Sequence, residues 1–394
     1  MYKKFVFASS VCLISIVVNA QTTDITRVLL EIEQNNKELQ AYSSLMESKK
    51  FELKSGNNFP DPQVGAYYLP WGEHNSGDYT EFQVSQSFEF PTIYGVRKGL
   101  IEKWQGQTEL EYASNRQSIL LTAKKAILEL VYLNKRITVE QTRVEQAKKV
   151  VEQVQELFEK EIVGILEVNK AKIAWVQEQF KVEQIETNKQ NILLHLKNLN
   201  GGVEISFTQP NYVESLTLAE MDSIWENKKL SDPVFKILKL QEEVALEQIK
   251  LSKNESLPNL TTGFNYQGVS GSNYSGIYGG LSIPIWSNRH KVKAAKAKYL
   301  YQQFFSDAQS ITSYIDFQKQ YNDYLILLSK FQEYERTLNG INSDILLLEA
   351  YELGEISFMT YYIELQFYRQ AYDSMLEMEK QLIQLKADIL KHQL

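Results

Sequence analysis

Cysteine is almost missing from this chain: Cys12 is the only one among 394 residues. That leaves no disulfide framework and no thiolate metal site. Histidine is scarce as well, and His74, His195, His290 and His392 stand too far apart for a His-x₃-His ligand pair. There is no basic excess: 42 Lys and Arg face 49 Asp and Glu, for a formal charge of −7, which argues against nucleic acid as a partner. No phosphate loop follows the glycines of 268–280, because no Gly-Lys-Ser/Thr is present there. Glu73, His74 and Asp78 read as a polar surface loop, not a metal site. No Ser-His-Asp set or carboxylate pair suggests catalysis, so neither an enzyme nor a cofactor or metal is expected.

A hydrophobic fraction of 43% with 23% charged residues excludes wholesale disorder. Length alone suggests two or three domains. Residues 1–20 read as a secretory leader, with Lys3 and Lys4, an apolar stretch from Phe5 to Val18, and a small-residue site at Val18-Asn19-Ala20. Its removal would discard Cys12 and take the charge to −9. No later apolar run approaches the roughly 20 residues of a membrane helix, so any membrane-spanning part must be β-structure.

The chain is written twice. Phe59-Pro60-Asp61-Pro62 is echoed by Leu257-Pro258-Asn259-Leu260, and Ser87-Phe88-Glu89-Phe90-Pro91 by Gly280-Leu281-Ser282-Ile283-Pro284. Phe158-Glu159-Lys160-Glu161 aligns with Tyr351-Glu352-Leu353-Gly354. Pro91 to Glu161 and Pro284 to Gly354 are both 70 residues, whereas Pro60–Pro91 and Pro258–Pro284 span 31 and 26. A long rigid element keeps its length while a loop-bearing one varies, the mark of a duplicated unit.

The first unit covers 21–200, with helices predicted over 22–56, 95–160 and 166–200 and strands over 63–70 and 79–90. The second covers 233–394, with helices over 233–254, 288–353 and 355–391 and strands over 259–268 and 275–285. Residues 201–232 have no clear periodicity and join the two. Leu130, Leu133, Ile137, Val144, Ala147, Val151, Val154 and Phe158 step by three and four, with Glu140 the polar intruder. Leu327, Phe331, Tyr334, Leu338, Ile341, Ile345 and Leu348 do the same, as in a left-handed coiled coil.

A plain coiled-coil rod would not need the segments between the prolines. Phe82, Val84, Phe88 and Phe90 alternate with polar residues, and Ile277, Leu281 and Ile283 form a second alternating set. These are the candidate membrane-facing side chains, with a soluble Tyr-rich sheet as the alternative. Trp71–Asp78 and Gly268–Tyr274 read as hairpin loops. Four strands cannot close a barrel, and lipid tolerates no open sheet edge. A membrane reading therefore requires several subunits to share one barrel.

This order of elements resembles the TolC-type outer-membrane efflux family over nearly the whole chain. Asn36-Lys37-Glu38-Leu39 and Asp232-Pro233-Val234-Phe235 stand where the family has Asn-Pro-x-Leu. Ser85-Gln86-Ser87-Phe88-Glu89-Phe90-Pro91, with Gly95, Arg97 and Lys98, is similar to a segment of the CzcC and CusC-like metal-efflux branch. The resemblance implies a mainly α fold with a small β part: a homotrimer with a 12-stranded transmembrane barrel in outer-membrane lipid and an α-barrel crossing the periplasm. It also implies passive export, through docking to a periplasmic adaptor and an inner-membrane efflux pump, in this branch for heavy-metal cations.

The breaks at 161–167 and 354–360 would then be the periplasmic tips. Val163, Gly164, Ile165, Gly354, Glu355, Ile356 and Ser357 are the implied adaptor contacts, the alternative being an ordinary helix–turn–helix. Family tips carry Gly, an acid six positions on, and Ala four further. Here Glu161, Glu167 and Ala171 fill those places once, and Gly354, Thr360 and Glu364 the second time. Glu167, Glu364 and Glu161 are therefore the candidate pore-entrance carboxylates, a solvated helix face being the alternative for each. A periplasmic coiled-coil scaffold outside the membrane is the competing function.

Overall fold

A computed structural model describes residues 24–71, 78–269, 271–340 and 343–394. The expected leader with Cys12, and Glu73 and His74 of the first hairpin loop, lie outside the described residues.

The chain opens with α1 (Asp24–Asn35) and α2 (Lys37–Ser55), two helices in place of the single one expected over 22–56. Asn36 makes the break: its side chain caps α2 by accepting from the Leu39 N–H at 2.8 Å, and its amide donates to the Leu199 carbonyl at 2.7 Å. Strands β1 (Gln63–Leu69) and β2 (Tyr79–Phe88) follow, then α3 (Pro91–Glu159) and α4 (Ile165–Leu199). With 69 residues α3 is about 100 Å long. It begins four residues before the expected start because Pro91 suits the first helical position.

The connecting stretch holds a helix that its weak periodicity concealed, α5 (Met221–Ser231), anchored by Ile224 and Trp225. Asp232 then caps α6 (Pro233–Asn254), accepting from the Val234 N–H at 3.0 Å. Asn36 and Asp232, at the two unit openings, thus do the same job. Strands β3 (Asn259–Val269) and β4 (Ser272–Ser282) pair through nearly all of the expected loop 268–274, with Gly271 at φ +80° in the turn. The helix expected over 288–353 is α7 (Lys291–Asn339) and α8 (Ser343–Glu352), with Gly340 ending α7. Helix α9 (Phe358–Ile389) and a 3-10 turn at Lys391–Gln393 complete the chain.

The strands form one antiparallel sheet in the order β1-β2-β3-β4, with α3–α6 inserted between its central strands. Apolar clusters follow the helices. One joins Ile25, Val28 and Ile32 of α1 to Ala123–Val131 of α3 and Ile383 of α9. A second joins Trp225 to Phe317 and Tyr324 of α7 and Leu376 and Leu382 of α9. A third lies near the helix ends, around Val150, Val154, Val168, Phe358 and Leu365. No described helix is long and apolar enough to cross a membrane.

Candidate functional site at the helical tips and the sheet

The two helix breaks are built alike. The Ile162 N–H closes back on the Leu157 carbonyl, and the Glu355 N–H on the Ala350 carbonyl, both at 2.9 Å. Glu161 and Gly354 occupy the left-handed region at φ 60° and 75°. After the breaks, α4 starts at Gly164 with no side-chain cap, whereas Ser357 caps α9 by accepting from the Thr360 N–H at 3.2 Å. Thr360, at the place where the family has an acid, also bonds the Ser357 hydroxyl at 3.0 Å. It is occupied as part of the cap.

Between the tips lies a groove of about 500 Å³. Val163, Gly164 and Glu167 line one wall, and Gly354, Ile356 and Ser357 the other. Of the remaining expected tip contacts, Ile165 and Glu355 are exposed outside the groove, as are Glu161 and Glu364. The structure therefore brings Glu167 together with the docking candidates and leaves the other two carboxylates apart. Sequence reasoning missed Leu157, Ile162, Tyr351 and Leu353, which also line the groove. Ile162 and Leu353 stay 66% and 75% exposed, and large apolar residues at a helix break were the available signal. The Tyr351 hydroxyl is buried with no hydrogen-bond partner among the described residues. Burial, and then the nearby charge of Glu167, push its phenol above the ordinary range.

The sheet separates two chemistries. In register across it lie Ala66, Phe82 and Tyr266, then Val64, Val84, Phe264 and Ile277, then Phe88, Leu260 and Leu281. These share one apolar face, on which Ile277 is 88% exposed. The opposite face is polar: Asn265 donates to Glu81 at 2.7 Å, Tyr79 donates to the other Glu81 oxygen at 2.6 Å, and Gln83 donates to the Tyr278 hydroxyl. Phe82, Val84, Phe88, Ile277 and Leu281 thus share a face as the alternation suggested. Phe90 and Ile283 do not, since β2 ends at Phe88 and β4 at Ser282. Phe90 is instead half-buried at the start of α3, against Ile93, Leu100 and Leu251.

Among the described residues no group of His, Cys, Asp and Glu is arranged to hold a metal ion. The chain also resembles known structures. It matches the outer-membrane channel OprN with a TM-score of 0.76 at 11% identity, over 94% of this chain and 89% of that one. This is the fold of an outer-membrane channel. The same channel fold is seen in CusC, matched at a TM-score of 0.73 and 10% identity over 94% of this chain and 90% of that one. CusC is no nearer than OprN, so the fold does not single out a metal-efflux branch. In sequence the chain is 23% identical over 274 residues to outer membrane protein TolC of Vibrio cholerae, a match covering 65% of this chain. It spans 59% of the length of that curated relative. No protein-family model matches the chain. The proteins it resembles are outer-membrane proteins and not enzymes.

Proposed function

We propose that the chain is one subunit of a trimeric outer-membrane exit duct that extends into the periplasm. The observation carrying this reading is the sheet: four strands with an exposed apolar face, a hydrogen-bonded polar face, and two open edges, β1 and β4. Lipid would satisfy the apolar face but not the edges. Three copies joined β4 to β1 close a 12-stranded barrel with its polar face inward. The long helices below then form the periplasmic tunnel.

The groove at the tips supports docking of a periplasmic adaptor, which would couple the duct to an inner-membrane pump. Its exposed Ile162 and Leu353 supply apolar contact area, and Gly164 and Gly354 allow close backbone approach. The duct itself is passive. Glu167 at the groove, repeated in three subunits, would favour cations over anions at a narrow entrance, and we assign the duct to cationic cargo, with heavy-metal ions as the class to test first.

Membrane fractionation, detergent extraction and a heat-shift gel test the core of this reading. A heat-modifiable trimer in the outer-membrane fraction is expected. A soluble monomer would instead favour a periplasmic coiled-coil scaffold. For the entrance, single-channel recording of Glu167→Ala should show reduced cation block, and unchanged conductance and block would remove Glu167 from that role. Cross-linking from Ser357 to the cognate adaptor tests the docking site.

A further inference from the structure

Acidic residues outnumber basic ones overall, yet the segment leading from β4 into α7 reverses that balance. From Ser256 to Ser306 there is no Asp or Glu, while Arg289, Lys291, Lys293, Lys296 and Lys298 fall within ten positions. All five are exposed. Lys291 lies 3.6 Å from Glu255, and the other four make no ion pair among the described residues. Helix stability does not explain them. The first turn of α7 has no acidic residue, and cations near a helix start oppose its dipole.

Their place in the chain is specific. Neither Ser55–Val96 nor Asn254–Asn288 contains a Lys or Arg, so the whole sheet and both its hairpin loops are free of cations. Cations resume only where the strands give way to helices. Between the apolar face of β4 and Arg289 come Ile285 and Trp286, exposed by 65% and 80%. The order is thus strand, exposed Ile and Trp, then cations. A chain leaving a bilayer meets hydrocarbon, the interface that Trp prefers, and lipid phosphates in the same order.

We propose that the cationic start of α7 is a docking surface for the phosphate headgroups of anionic phospholipids in the periplasm-facing leaflet. This rests on the sheet being the membrane-spanning part. Lys298 lies about 10 Å beyond Lys291 along the helix, and long lysine side chains extend toward the membrane interface. The four lysines therefore cover the depth of a headgroup layer. They sit in two pairs: Lys293 and Lys296 on one flank of α7, Lys291 and Lys298 on the other, with buried Ala295 between. In the wall of a tube one flank faces outward, so one pair carries most of the lipid contact.

The test uses purified full-length protein equilibrated in mixed micelles of phosphatidylglycerol and phosphatidylcholine, with bound lipids counted by native mass spectrometry. Wild type should retain phosphatidylglycerol preferentially. One of the double variants, Lys293→Gln/Lys296→Gln or Lys291→Gln/Lys298→Gln, should lower that preference by about fivefold or more. The matching Lys→Arg variants should keep it, and high salt should weaken it. Equal retention of both lipids by wild type, or an unchanged preference when all four lysines are replaced by Gln, would overturn the proposal. So would a four-Gln variant whose trimer melts earlier while its lipid count stays the same, since the lysines would then be pairing with carboxylates of a neighbouring subunit. A chain found soluble in fractionation would overturn this proposal together with the reading beneath it. A membrane-embedded trimer indifferent to lipid charge would overturn this proposal alone.

Discussion

Arg369 of α9 donates to Glu178 of α4 at 3.1 Å, with both side chains almost wholly removed from water at 4% and 1% exposure. The pair belongs to a buried layer. Arg369 also reaches Gln146 of α3 at 2.9 Å, while Arg143 of α3 donates to Glu140 at 2.8 Å and to Asp373 of α9 at 2.9 Å. This layer separates the apolar cluster near the tips from those above it, and it ties α3 and α4 to α9.

Removing Glu178 strands the Arg369 charge, whereas Glu178 without Arg369 keeps Lys181 at 3.1 Å. Glu178→Leu alone should cost about 3–5 kcal/mol of stability, and Arg369→Met less. The double variant should recover most of that loss, because apolar replacement of a whole buried pair is often nearly neutral. Arg369 Nε already lacks a partner among the described residues, which favours recovery. Denaturant unfolding of the two single variants and the double decides it: losses that simply add would show that the two residues act independently.

At the tips, Glu161 holds at φ 60° the conformation that Gly354 holds at φ 75°. Left-handed backbone costs a non-glycine residue about 1–2 kcal/mol. Glu161→Gly should therefore stabilise the first tip by up to about 1 kcal/mol, after the extra chain entropy of glycine is subtracted. Gly354→Ala should weaken the second by about 1–2 kcal/mol, and solely through the backbone, since nothing lies within 4 Å of an added Cβ. Hydrogen-exchange protection of the last turns of α3 and α8 reads both changes. A Glu161→Gly variant with less protection would contradict the strain.

How far the sequence could be read follows from where its signals were local. Alternation along β2 and β4 placed Phe82 and Ile277 on one face because strand periodicity depends only on neighbours. The spacing from Pro91 to Glu161 and from Pro284 to Gly354 located both breaks, since proline and the left-handed turn are local signals too. Helix α5 was missed because its short apolar set, Ile224 and Trp225, gains meaning only against Phe317 and Tyr314 of α7. Glu140 looks like an interruption of a heptad, but it accepts from Arg136 and Arg143, and Arg143 in turn holds Asp373 of α9, a partner far along the chain. Phe90 kept the alternation of β2, but Pro91 ends the ladder there by removing a donor. The groove at the tips joins two units, so each break can be read within its own unit while their juxtaposition cannot.

Tyr324 is fully buried, and its hydroxyl donates to the Leu216 carbonyl. Burial pushes its phenol up to about 12. Because the folded value lies above the unfolded one, near 10, the neutral phenol favours folding, and this stability is complete below pH 10. It is lost as pH rises from about 10 to 12, amounting in all to roughly 2–3 kcal/mol once the phenol ionises in the folded state as well. Tyr212, which donates to the Leu128 carbonyl at 3.2 Å, is shifted the same way by burial and adds to the effect. Tyr324→Phe should lose about 0.5–1.5 kcal/mol at pH 8 and show a shallower fall at alkaline pH. Thermal melts across pH 8–12 measure both, and identical alkaline slopes for wild type and variant would rule Tyr324 out as a source.

The two faces of the sheet make opposite demands on a charge. Ile277 sits in the middle of β4 on the apolar face, paired with Phe264. Gln267 of β3 lies on the polar face, in register with Glu81 of β2 and Tyr274 of β4. In a lipid-facing position, Arg costs about 2–4 kcal/mol near the bilayer midplane. Ile277→Arg should therefore deplete the heat-modifiable trimer in the outer-membrane fraction. Gln267→Arg, which adds a cation beside Glu81 on the inward face, should leave the trimer at its wild-type level. Both variants introduce the same residue into the same sheet, so a difference between them reports the environment of each face and not the chemistry of arginine. Equal depletion would point to a general folding defect. Depletion confined to Gln267→Arg would mean that the polar face, not the apolar one, is packed against something intolerant of charge.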